Sequence, residues 1–275
     1  NTSLSNVDSL ELSKIFYSEI GNRWTALADD FVRVSGGNSE SGGGENLDFS
    51  TGGYQFWQAK TGIYNGTSSQ AIFNWTTSLP DPTQASDAGG RLFEVFNSGT
   101  DSYSAGQLSR VPEGFTHASQ INNESGGTNC SQLQYTMEVN LENCLLTFMY
   151  AMVLESPGHS NYENPTFQID IMKHSPDNGM MLEELVDACA FFEKSSNTQL
   201  PTTEPGVWHT STTNSSWIWS NWQQIKINLA RYIGDRVTIR VRLGDCSFSA
   251  HGAYGYFTAK AEPALINTPG CAGNG

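Results

Sequence analysis

The chain has 275 residues, of which 37% are hydrophobic and 15% are charged, and its 28 acidic and 14 basic side chains give a formal net charge of −14. This charge repels phosphate backbones and anionic membrane surfaces, so the composition argues against nucleic acid and against membranes as partners. No run of about 18 apolar residues occurs, so the sequence predicts no transmembrane helix. The carboxylates suit Ca²⁺, and the wealth of Gly, Ser, Thr and Asn is typical of a turn-rich β protein.

The first 45 residues are predicted to form an extension ahead of the main module. Residues 8–20 place apolar side chains at mixed spacing, a pattern that fits a short helix and a strand almost equally. The run SGGNSESGGG at 35–44 is typical of a flexible linker, so the main module is expected to begin at residue 46. The chain opens without a basic or apolar leader, as an exported protein does after processing and as a trimmed chain does.

Strand signals dominate the main module, which is expected to span residues 46–260. Five alternating segments predict strands with one buried face: 132–139, 166–172, 222–229, 237–243 and 254–259. The continuously apolar segment 145–153 predicts a strand that is buried on both faces. Arg240 and Arg242 alternate with apolar residues, so they are expected to point away from the core.

The segment 181–192 is ambiguous, because its helix propensity fits a helix. The pair Phe191-Phe192 beside Cys189 favours a strand in the second half of the segment. Together the segments predict an all-β fold, a two-sheet antiparallel β-sandwich of jelly-roll type with long loops. Residues 261–275 are expected to be a linker towards a following domain, so the chain would be part of a larger multidomain protein.

Several motifs follow one another in a fixed order along the second half of the chain. They are CLLTFMYAMVLESPGH (144–159), NPTF (164–167), WQQIKINLARYIG (222–234), DCS (245–247), His251 and YGY (254–256), with RVP (110–112) and QYT (134–136) upstream. Together they resemble a lectin-like or MAM-like jelly-roll module of Bacteroidota cell-surface proteins, which carry PKD or Ig-like repeats and sorting signals for type IX secretion or gliding motility. The resemblance covers roughly 46–260, and it implies an adhesin or polymer-binding module that is secreted or displayed on the bacterial outer surface.

The chain departs from this family at three points. Thr258 stands where the last strand of the family usually ends in an acidic residue, and in many jelly rolls that carboxylate helps to hold a structural Ca²⁺, so the case for calcium is weaker here. Cys130 and Cys144 stand where the family has other small residues, so the resemblance implies no bridge at these positions. The extension at 1–45 has no counterpart in the family.

Five cysteines are present, and none forms a Cys-x-x-Cys pair or a Cys/His set with zinc spacing, so the spacing predicts no zinc site. Cys189 and Cys246 occupy positions that resemble those of the family. We interpret them as a disulfide worth about 4 kcal/mol in an oxidising compartment, the alternative being two buried thiols. The odd count leaves the pairing of Cys130, Cys144 and Cys271 open.

Two histidines lie in loops that resemble the family, His159 in SPGH and His251 in SAHG, with Glu155 and Asp245 nearby in sequence. Two imidazoles and two carboxylates can form a transition-metal site or a general acid–base pair. Equally, each imidazole can hydrogen-bond a loop backbone and hold the rim of the sandwich. We favour the structural interpretation over a ligand or metal contact, and a ligand or metal contact over catalysis.

Trp217, Trp219 and Tyr254 are the aromatic candidates for a glycan site, because flat rings bury the apolar faces of sugars. Alternation along VWHTSTTNSSWIWSNW puts both tryptophans on one face of a strand. If that face is open to solvent, it is a glycan platform. If it faces the core, the rings are packing residues, and this is the interpretation that we favour.

The sequence therefore predicts a non-catalytic extracellular module that contacts glycans, or surface and matrix proteins, through its loops. The nucleophile elbow Gly-x-Ser-x-Gly, the His-Glu-x-x-His motif and the P-loop are missing, and no carboxylate pair is singled out for glycoside hydrolysis. The alternatives are a spacer or cap without a ligand, and a glycan-active enzyme. No cofactor is expected beyond a structural Ca²⁺.

Overall fold

The computed structural model describes residues 44–175 and 178–263, and also the backbone of a short strand at 271–272. The predicted extension at 1–45 and the predicted linker at 261–275 lie largely outside these residues. The domain boundaries therefore stay predictions.

Strands make up most of the regular structure. Within the described range they are β1 (Trp57–Tyr64), β2 (Phe73–Leu79), β3 (Ser86–Asp87), β4 (Gly90–Arg91), β5 (Phe93–Phe96), β6 (Ala118–Ile121), β7 (Asn129–Glu138), β8 (Leu145–Glu155), β9 (Thr166–His174), β10 (Met181–Leu185), β11 (Phe191–Ser195), β12 (Trp208–Thr210), β13 (Trp217–Ser220), β14 (Gln223–Asn228), β15 (Arg236–Gly244), β16 (Ala253–Glu262) and β17 (Cys271–Ala272). A four-residue helix, α1 (Leu200–Thr203), and 3₁₀ turns at 82–84, 161–163, 188–190 and 230–232 connect them.

The strands form two large antiparallel sheets and a small β3–β4 hairpin. The first sheet has seven strands in the order β2–β1–β7–β15–β9, with β10 and β11 both paired to the far edge of β9. The second sheet has eight strands in the order β12–β13–β8–β16–β6–β5, with β14 also paired to β8 and β17 paired to β14. The predicted all-β sandwich is confirmed.

The core lies between the sheets and is built by alternation along each strand. In β7 and β15 the odd-numbered residues, among them Leu133, Ile239 and Val241, are fully buried in the core, so the even-numbered ones point to the outer face. Arg240 and Arg242 therefore point away from the core, as predicted. All five alternating segments form strands whose bounds lie within a few residues of the prediction.

β8 is buried on both faces, as its continuous apolar sequence predicted. One face contributes Leu146, Phe148 and Leu154 to the core, and the other contributes Ala151 and Val153 to a second apolar cluster. That second cluster lies on the outer face of the eight-stranded sheet.

The ambiguous segment 181–192 contains two strands and no helix. β10 and β11 are separated by the 3₁₀ turn at 188–190, in which the Cys189 backbone N–H donates to the side chain of Asp187. The strand predicted for the second half is confirmed. The first half is a strand too, because it pairs with β9 at the sheet edge, where packing overrides its helix propensity.

Candidate functional site

Trp217 and Trp219 lie in the interior of the protein, each 3% exposed. They share the outer face of the eight-stranded sheet, as alternation predicted, but other side chains cover this face. Tyr103 stacks on Trp217 with 4.2 Å between ring centroids, and His209 stacks on Trp219 at the same distance. Both tryptophans are therefore packing residues, and they form no exposed platform for a glycan.

Tyr254, the third aromatic candidate, belongs to the same covered cluster. Its hydroxyl and that of Tyr256 both donate to Oδ2 of Asp101, at 2.6 and 2.9 Å. Burial, and then the Asp101 carboxylate, raise the pKa of both tyrosines, so each keeps the proton that it donates. The bonds anchor the segment that contains Asp101 onto the sheet, and Tyr254 is only 4% exposed.

The outer face of the seven-stranded sheet is different, because it is built from planar polar side chains. Residues paired across neighbouring strands lie on the same face of a sheet. The register of the sheet aligns one such row across five strands, which we call the central row: Lys60, Gln132, Arg242, Gln168 and Glu193. Four strand spacings of about 4.8 Å make this row about 19 Å long.

A second row lies beside the central row and is polar except for its last residue: Gln58, Gln134, Arg240, Asp170 and Phe191. Asp170 is the hub of this row, since it accepts hydrogen bonds from Arg240 Nε at 2.6 Å and Nη2 at 3.2 Å and also from Arg242. Arg240 further contacts Glu183 of β10, with Nη1 3.1 Å from Oε2. This network fixes both guanidinium groups against the sheet.

Hydrogen bonds between glutamine side chains of β7 and β1 also join the two rows. Gln132 donates through Nε2 to Oε1 of Gln134 at 2.9 Å, and Gln134 donates through Nε2 to Oε1 of Gln58 at 2.8 Å. The amide orientations follow from these hydrogen bonds, which leave Oε1 of Gln132 unused.

The charges on this face balance. Lys60, Arg240 and Arg242 stand against Asp170, Glu183 and Glu193, which makes three cations and three carboxylates. Burial lowers the pKa of Arg242, while in Arg240 the opposing effect of Asp170 and Glu183 outweighs burial and raises the pKa. Burial also raises the pKa of Glu193, which accepts hydrogen bonds from Gln168 and Tyr162. A face without net charge favours a neutral polar ligand over an ion.

Three buried polar atoms of the central row have no hydrogen-bond partner in the described part of the chain. They are Oε1 of Gln132, Nε of Arg242 and Oε1 of Gln168, which lie side by side on three adjacent strands. An unpaired buried polar group costs about 1–3 kcal/mol, and native proteins contain few of them. Two acceptors and a donor in one row therefore indicate a place where a water molecule or a polar ligand completes the hydrogen bonding. The atoms lie beneath the surface, since Gln132 is 1% and Gln168 is 5% exposed, so a glycan reaches them through a bridging water or after neighbouring side chains move aside.

An aromatic edge borders the polar rows at β2. Phe73 and Trp75 stack with 5.6 Å between ring centroids and an interplanar angle of 11°, and both are half-buried. The register of β1 and β2 shifts between Thr61 and Gly62, which turns Phe73 and Trp75 away from the core side and towards the outer face. The guanidinium of Arg242 lies over the Phe73 ring, 5.2 Å from its centroid, and so links the edge to the central row.

The predicted histidines meet at one end of the sandwich. The ring centroids of His159 and His251 are 5.4 Å apart, and the thiol of Cys246 joins them. The two carboxylates that were expected beside them point elsewhere. Glu155 accepts hydrogen bonds from the Gly252 backbone N–H at 3.2 Å and from the Ser216 hydroxyl at 3.1 Å, so it ties two loops together.

Asp245 is fully buried and accepts a hydrogen bond from Nδ2 of Asn122 at 2.8 Å. Its Oδ2 has no partner among the residues that the structure describes. Burial, and then the nearby charge of Asp87, raise its pKa well above the usual range of an aspartate.

The interpretation of Cys189 and Cys246 as a disulfide pair is wrong. Cys189 is disulfide-bonded, whereas Cys246 is a buried free thiol, as are Cys130 and Cys144. β15 ends two residues before Cys246, and its last residue pairs with Thr166 of β9. β11 begins two residues after Cys189, and its first residue pairs with Asp170 of β9. Four residues of strand separate these points by about 13 Å, and two cysteines whose Cα atoms are more than about 7 Å apart cannot be bridged.

The central row is the feature that the sequence did not reveal as a site. Alternation placed Arg240 and Arg242 on the outer face, but the same alternation is typical of any solvated strand. The signal that distinguishes this face is the alignment of Gln132, Arg242 and Gln168, and only the register supplies it.

No protein-family model matches the sequence, and no curated protein sequence matches it. No helix in residues 44–175 and 178–263 is both long and apolar enough to span a bilayer.

Solved structures show weak similarity to the chain. One is TmCBM61 in complex with β-1,4-galactotriose, with 12% identity over 79% of this chain and 97% of that chain, and a TM-score of 0.35. Another belongs to the carbohydrate-binding modules of the β-sandwich superfamily, with 11% identity over 82% of this chain and 63% of that chain, and a TM-score of 0.34. A third is the enzymatically active domain of tailspike protein 4 of bacteriophage CBA120, with 8% identity over 77% of this chain and 21% of that chain, and a TM-score of 0.35. Carbohydrate-binding modules are thus among the similar structures, as is an enzyme domain, and similarity this low assigns neither a ligand nor an activity.

Proposed function

We propose that the chain is a carbohydrate-binding module that binds an oligosaccharide or polysaccharide on the outer face of its seven-stranded sheet. The observation that carries this proposal is the central row, in which Gln132, Arg242 and Gln168 each bury a polar atom without a partner. A sugar hydroxyl both donates and accepts hydrogen bonds, so neighbouring hydroxyls of a glycan match two amide oxygens and one guanidinium N–H. The length of the row, about 19 Å from four strand spacings, suits an extended chain better than a single sugar.

The aromatic edge supplies the second half of a sugar site. Trp75 is half-buried and stacked on Phe73, so one side of the pair is held by protein while the other is available to an apolar sugar face. Ligand sites typically combine an apolar or aromatic surface with a few polar groups in fixed positions. The balanced charges of the two rows favour a neutral glycan over a charged one.

The face is preorganised, which favours binding over catalysis. Asp170 is held by Arg240 and Arg242, so it is poorly placed to exchange a proton with a ligand. Glu193 is the carboxylate of the central row that a rival hydrolase would use, since burial raises its pKa towards that of a general acid. We propose a non-catalytic module, and turnover of a glycan that is lost in Glu193→Gln would overturn this part.

We further propose that the module acts outside the cell, as the resemblance to Bacteroidota surface proteins implies. The disulfide at Cys189 supports this location, because disulfides persist in oxidising compartments. In that setting a glycan-binding face would serve adhesion to a surface polymer. A spacer that binds no ligand would leave the three unpaired atoms of the central row without a purpose.

Glycan-array screening followed by calorimetric titration of the best oligosaccharide tests the proposal. Gln132→Ala should weaken binding about 3- to 10-fold, since a hydrogen bond contributes about 0.5–1.5 kcal/mol, and Trp75→Ala should weaken it about 10-fold or more through lost stacking. Gln224→Ala, on an exposed residue of the other sheet, and Phe248→Ala, on an exposed end loop, are the matched controls and should bind normally. A complete absence of glycan binding, or binding that ignores both Gln132 and Trp75, would overturn the proposal.

A further inference from the structure

Three metal-binding side chains from two loops converge at one end of the sandwich. Cys246 and His251 flank the tight loop between β15 and β16, and His159 belongs to the loop between β8 and β9. One atom of each, the Cys246 thiol sulfur and one ring nitrogen of each histidine, lies within 4.8 Å of the other two. We infer that His159, Cys246 and His251 bind one transition-metal ion of the Zn²⁺ class.

The spacing of these atoms fits a tetrahedral ion. Nδ1 of His251 is 3.4 Å from Sγ of Cys246. Metal–sulfur and metal–nitrogen bonds of about 2.3 and 2.05 Å at a tetrahedral angle place the two ligand atoms about 3.6 Å apart. The observed separation is therefore close to the one that a bound ion requires.

A simple hydrogen bond between Cys246 and His251 would explain this distance but would leave His159 unexplained. Nε2 of His159 is buried, yet it has no hydrogen-bond partner within the described residues. His159 therefore converges on a thiol and a second imidazole while one of its ring nitrogens keeps a hydrogen-bonding position unused, and a metal ion would employ such a nitrogen as a ligand. This second observation favours a metal over a hydrogen-bonded pair.

The thiol of Cys246 has the environment of a metal ligand. It is fully buried, and its sulfur accepts a hydrogen bond from the Phe248 backbone N–H at 3.2 Å, which fixes the position of the sulfur. One sulfur and two imidazole nitrogens select ions such as Zn²⁺, Co²⁺ or copper, and they exclude Ca²⁺ and Mg²⁺, which take oxygen ligands.

The backbone holds the three side chains in place without an ion. Asn164, which is 2% exposed, accepts from the His159 N–H at 3.0 Å and donates to the His159 carbonyl at 2.8 Å. The Cys246 N–H donates to the His251 carbonyl at 3.2 Å, which closes the tight loop. The Ser247 N–H donates to the Glu163 carbonyl at 3.0 Å, which joins the two loops. The site is therefore preformed.

The ligand set leaves one position of a tetrahedral ion open. Among the described residues, the group of converging ligand atoms contains no carboxylate. Glu155 is engaged by Gly252 and Ser216, Glu163 accepts from the Ser160 N–H, and Oδ1 of Asp245 accepts from Asn122. Three protein ligands with an open fourth position are typical of sites that bind water or an outside donor, whereas purely structural zinc sites have four. The exposed ring of Phe248 lies beside the cluster and contacts the His159 ring, with 4.7 Å between centroids.

Cobalt substitution tests the site in the full chain. The protein is stripped with chelator under anaerobic conditions and titrated with Co²⁺, and we expect one equivalent to produce a thiolate-to-cobalt charge-transfer band and the strong visible bands of a tetrahedral ion. Zn²⁺ should displace the cobalt. In Cys246→Ser the charge-transfer band should vanish, and in His159→Gln the metal affinity should fall by more than about 100-fold, since loss of an outer-shell partner alone costs about 10–100-fold.

Two matched variants serve as controls. Cys144→Ser removes another buried free thiol, and His117→Gln removes a half-buried histidine outside the cluster, and both should keep the cobalt spectrum. X-ray absorption at the zinc edge of the wild-type protein counts one sulfur and two imidazole donors without any variant, so the test does not depend on the variants folding. No charge-transfer band, a band that survives Cys246→Ser, or an affinity unchanged in His159→Gln would each overturn the inference.

Discussion

Trp217 is the residue whose substitution best separates packing from ligand binding. It is 3% exposed and is sandwiched by the stacked Tyr103 ring and by Tyr254, whose ring centroid lies 6.0 Å away. Truncation of a buried tryptophan to alanine costs about 3–5 kcal/mol, a figure that includes the cavity left behind. We therefore expect Trp217→Ala to lower the free energy of unfolding by about 3–5 kcal/mol and to leave the glycan face intact.

Urea unfolding followed by far-ultraviolet circular dichroism measures this loss, because the backbone signal does not depend on the missing indole. For a domain of 150–250 residues, 1 kcal/mol corresponds to about 2–4 °C, so the melting temperature should fall by about 6–20 °C. The same variant, titrated well below its midpoint, should bind the glycan with unchanged affinity.

Trp75→Ala is the reciprocal variant. Its ring is half-buried at the sheet edge, so its loss should cost the fold less than that of Trp217 while it weakens glycan binding. If Trp217→Ala abolished glycan binding and cost less than about 1 kcal/mol of stability, the placement of Trp217 in the interior would be refuted.

Four further outcomes follow from particular contacts. Because the pKa of Asp245 is raised in the folded state, protonation of this carboxyl stabilises the fold; this stabilisation is fully present below about pH 4 and is lost as the pH rises through the folded-state pKa. In urea unfolding, Asp245→Asn should therefore be about 1–3 kcal/mol more stable than wild type at pH 8 and equally stable near pH 4. A difference in stability that does not change with pH would contradict this. We also expect the chelator-treated protein to melt at the same temperature before and after Ca²⁺ is added, whereas stabilisation by Ca²⁺ that disappears in Asp245→Asn would place calcium at this carboxylate. A Cβ at Gly244 would lie 2.3 Å from the Tyr64 ring. Gly244→Ala should therefore lower the melting temperature and displace the Tyr64 hydroxyl from Thr166. An unchanged melting temperature would refute the close packing of Gly244 against Tyr64. Alkylation of the unfolded, unreduced protein should label Cys130, Cys144 and Cys246 but not Cys189, and a labelled Cys189 would contradict the disulfide. Cys189→Ser should lower the free energy of unfolding by about 2–4 kcal/mol.

The sequence predicted the architecture because each strand is coded locally. Apolar alternation fixes which residues of β7, β9 and β15 face the core, and the unbroken apolar run of β8 identifies the strand that is buried on both faces. Where propensity and packing disagree, as in residues 181–192, the sheet edge decides, and no local pattern reports it.

The candidate site was harder to predict because its residues are distant in sequence. Alternation correctly put Trp217 and Trp219 on one face, but whether that face is open depends on the remote Tyr103, which covers it. Gln132, Arg242 and Gln168 carry no motif and become a row only through strand register.

The metal-ligand cluster shows the same limit. The sequence offered a joint site of His159 and His251 only as the less favoured interpretation, and it assigned Cys246 to a disulfide and predicted no zinc site, because no local spacing of the chain resembles a zinc motif. The third ligand becomes visible only when two loops meet at the end of the sandwich.

A crystal structure of the chain with the best oligosaccharide from the array tests the location of binding most directly. We expect sugar hydroxyls within hydrogen-bond distance of Oε1 of Gln132 and Nε of Arg242, with a sugar ring against Trp75. A glycan bound at the end loops or on the eight-stranded sheet, with no sugar at the central row, would contradict the proposal.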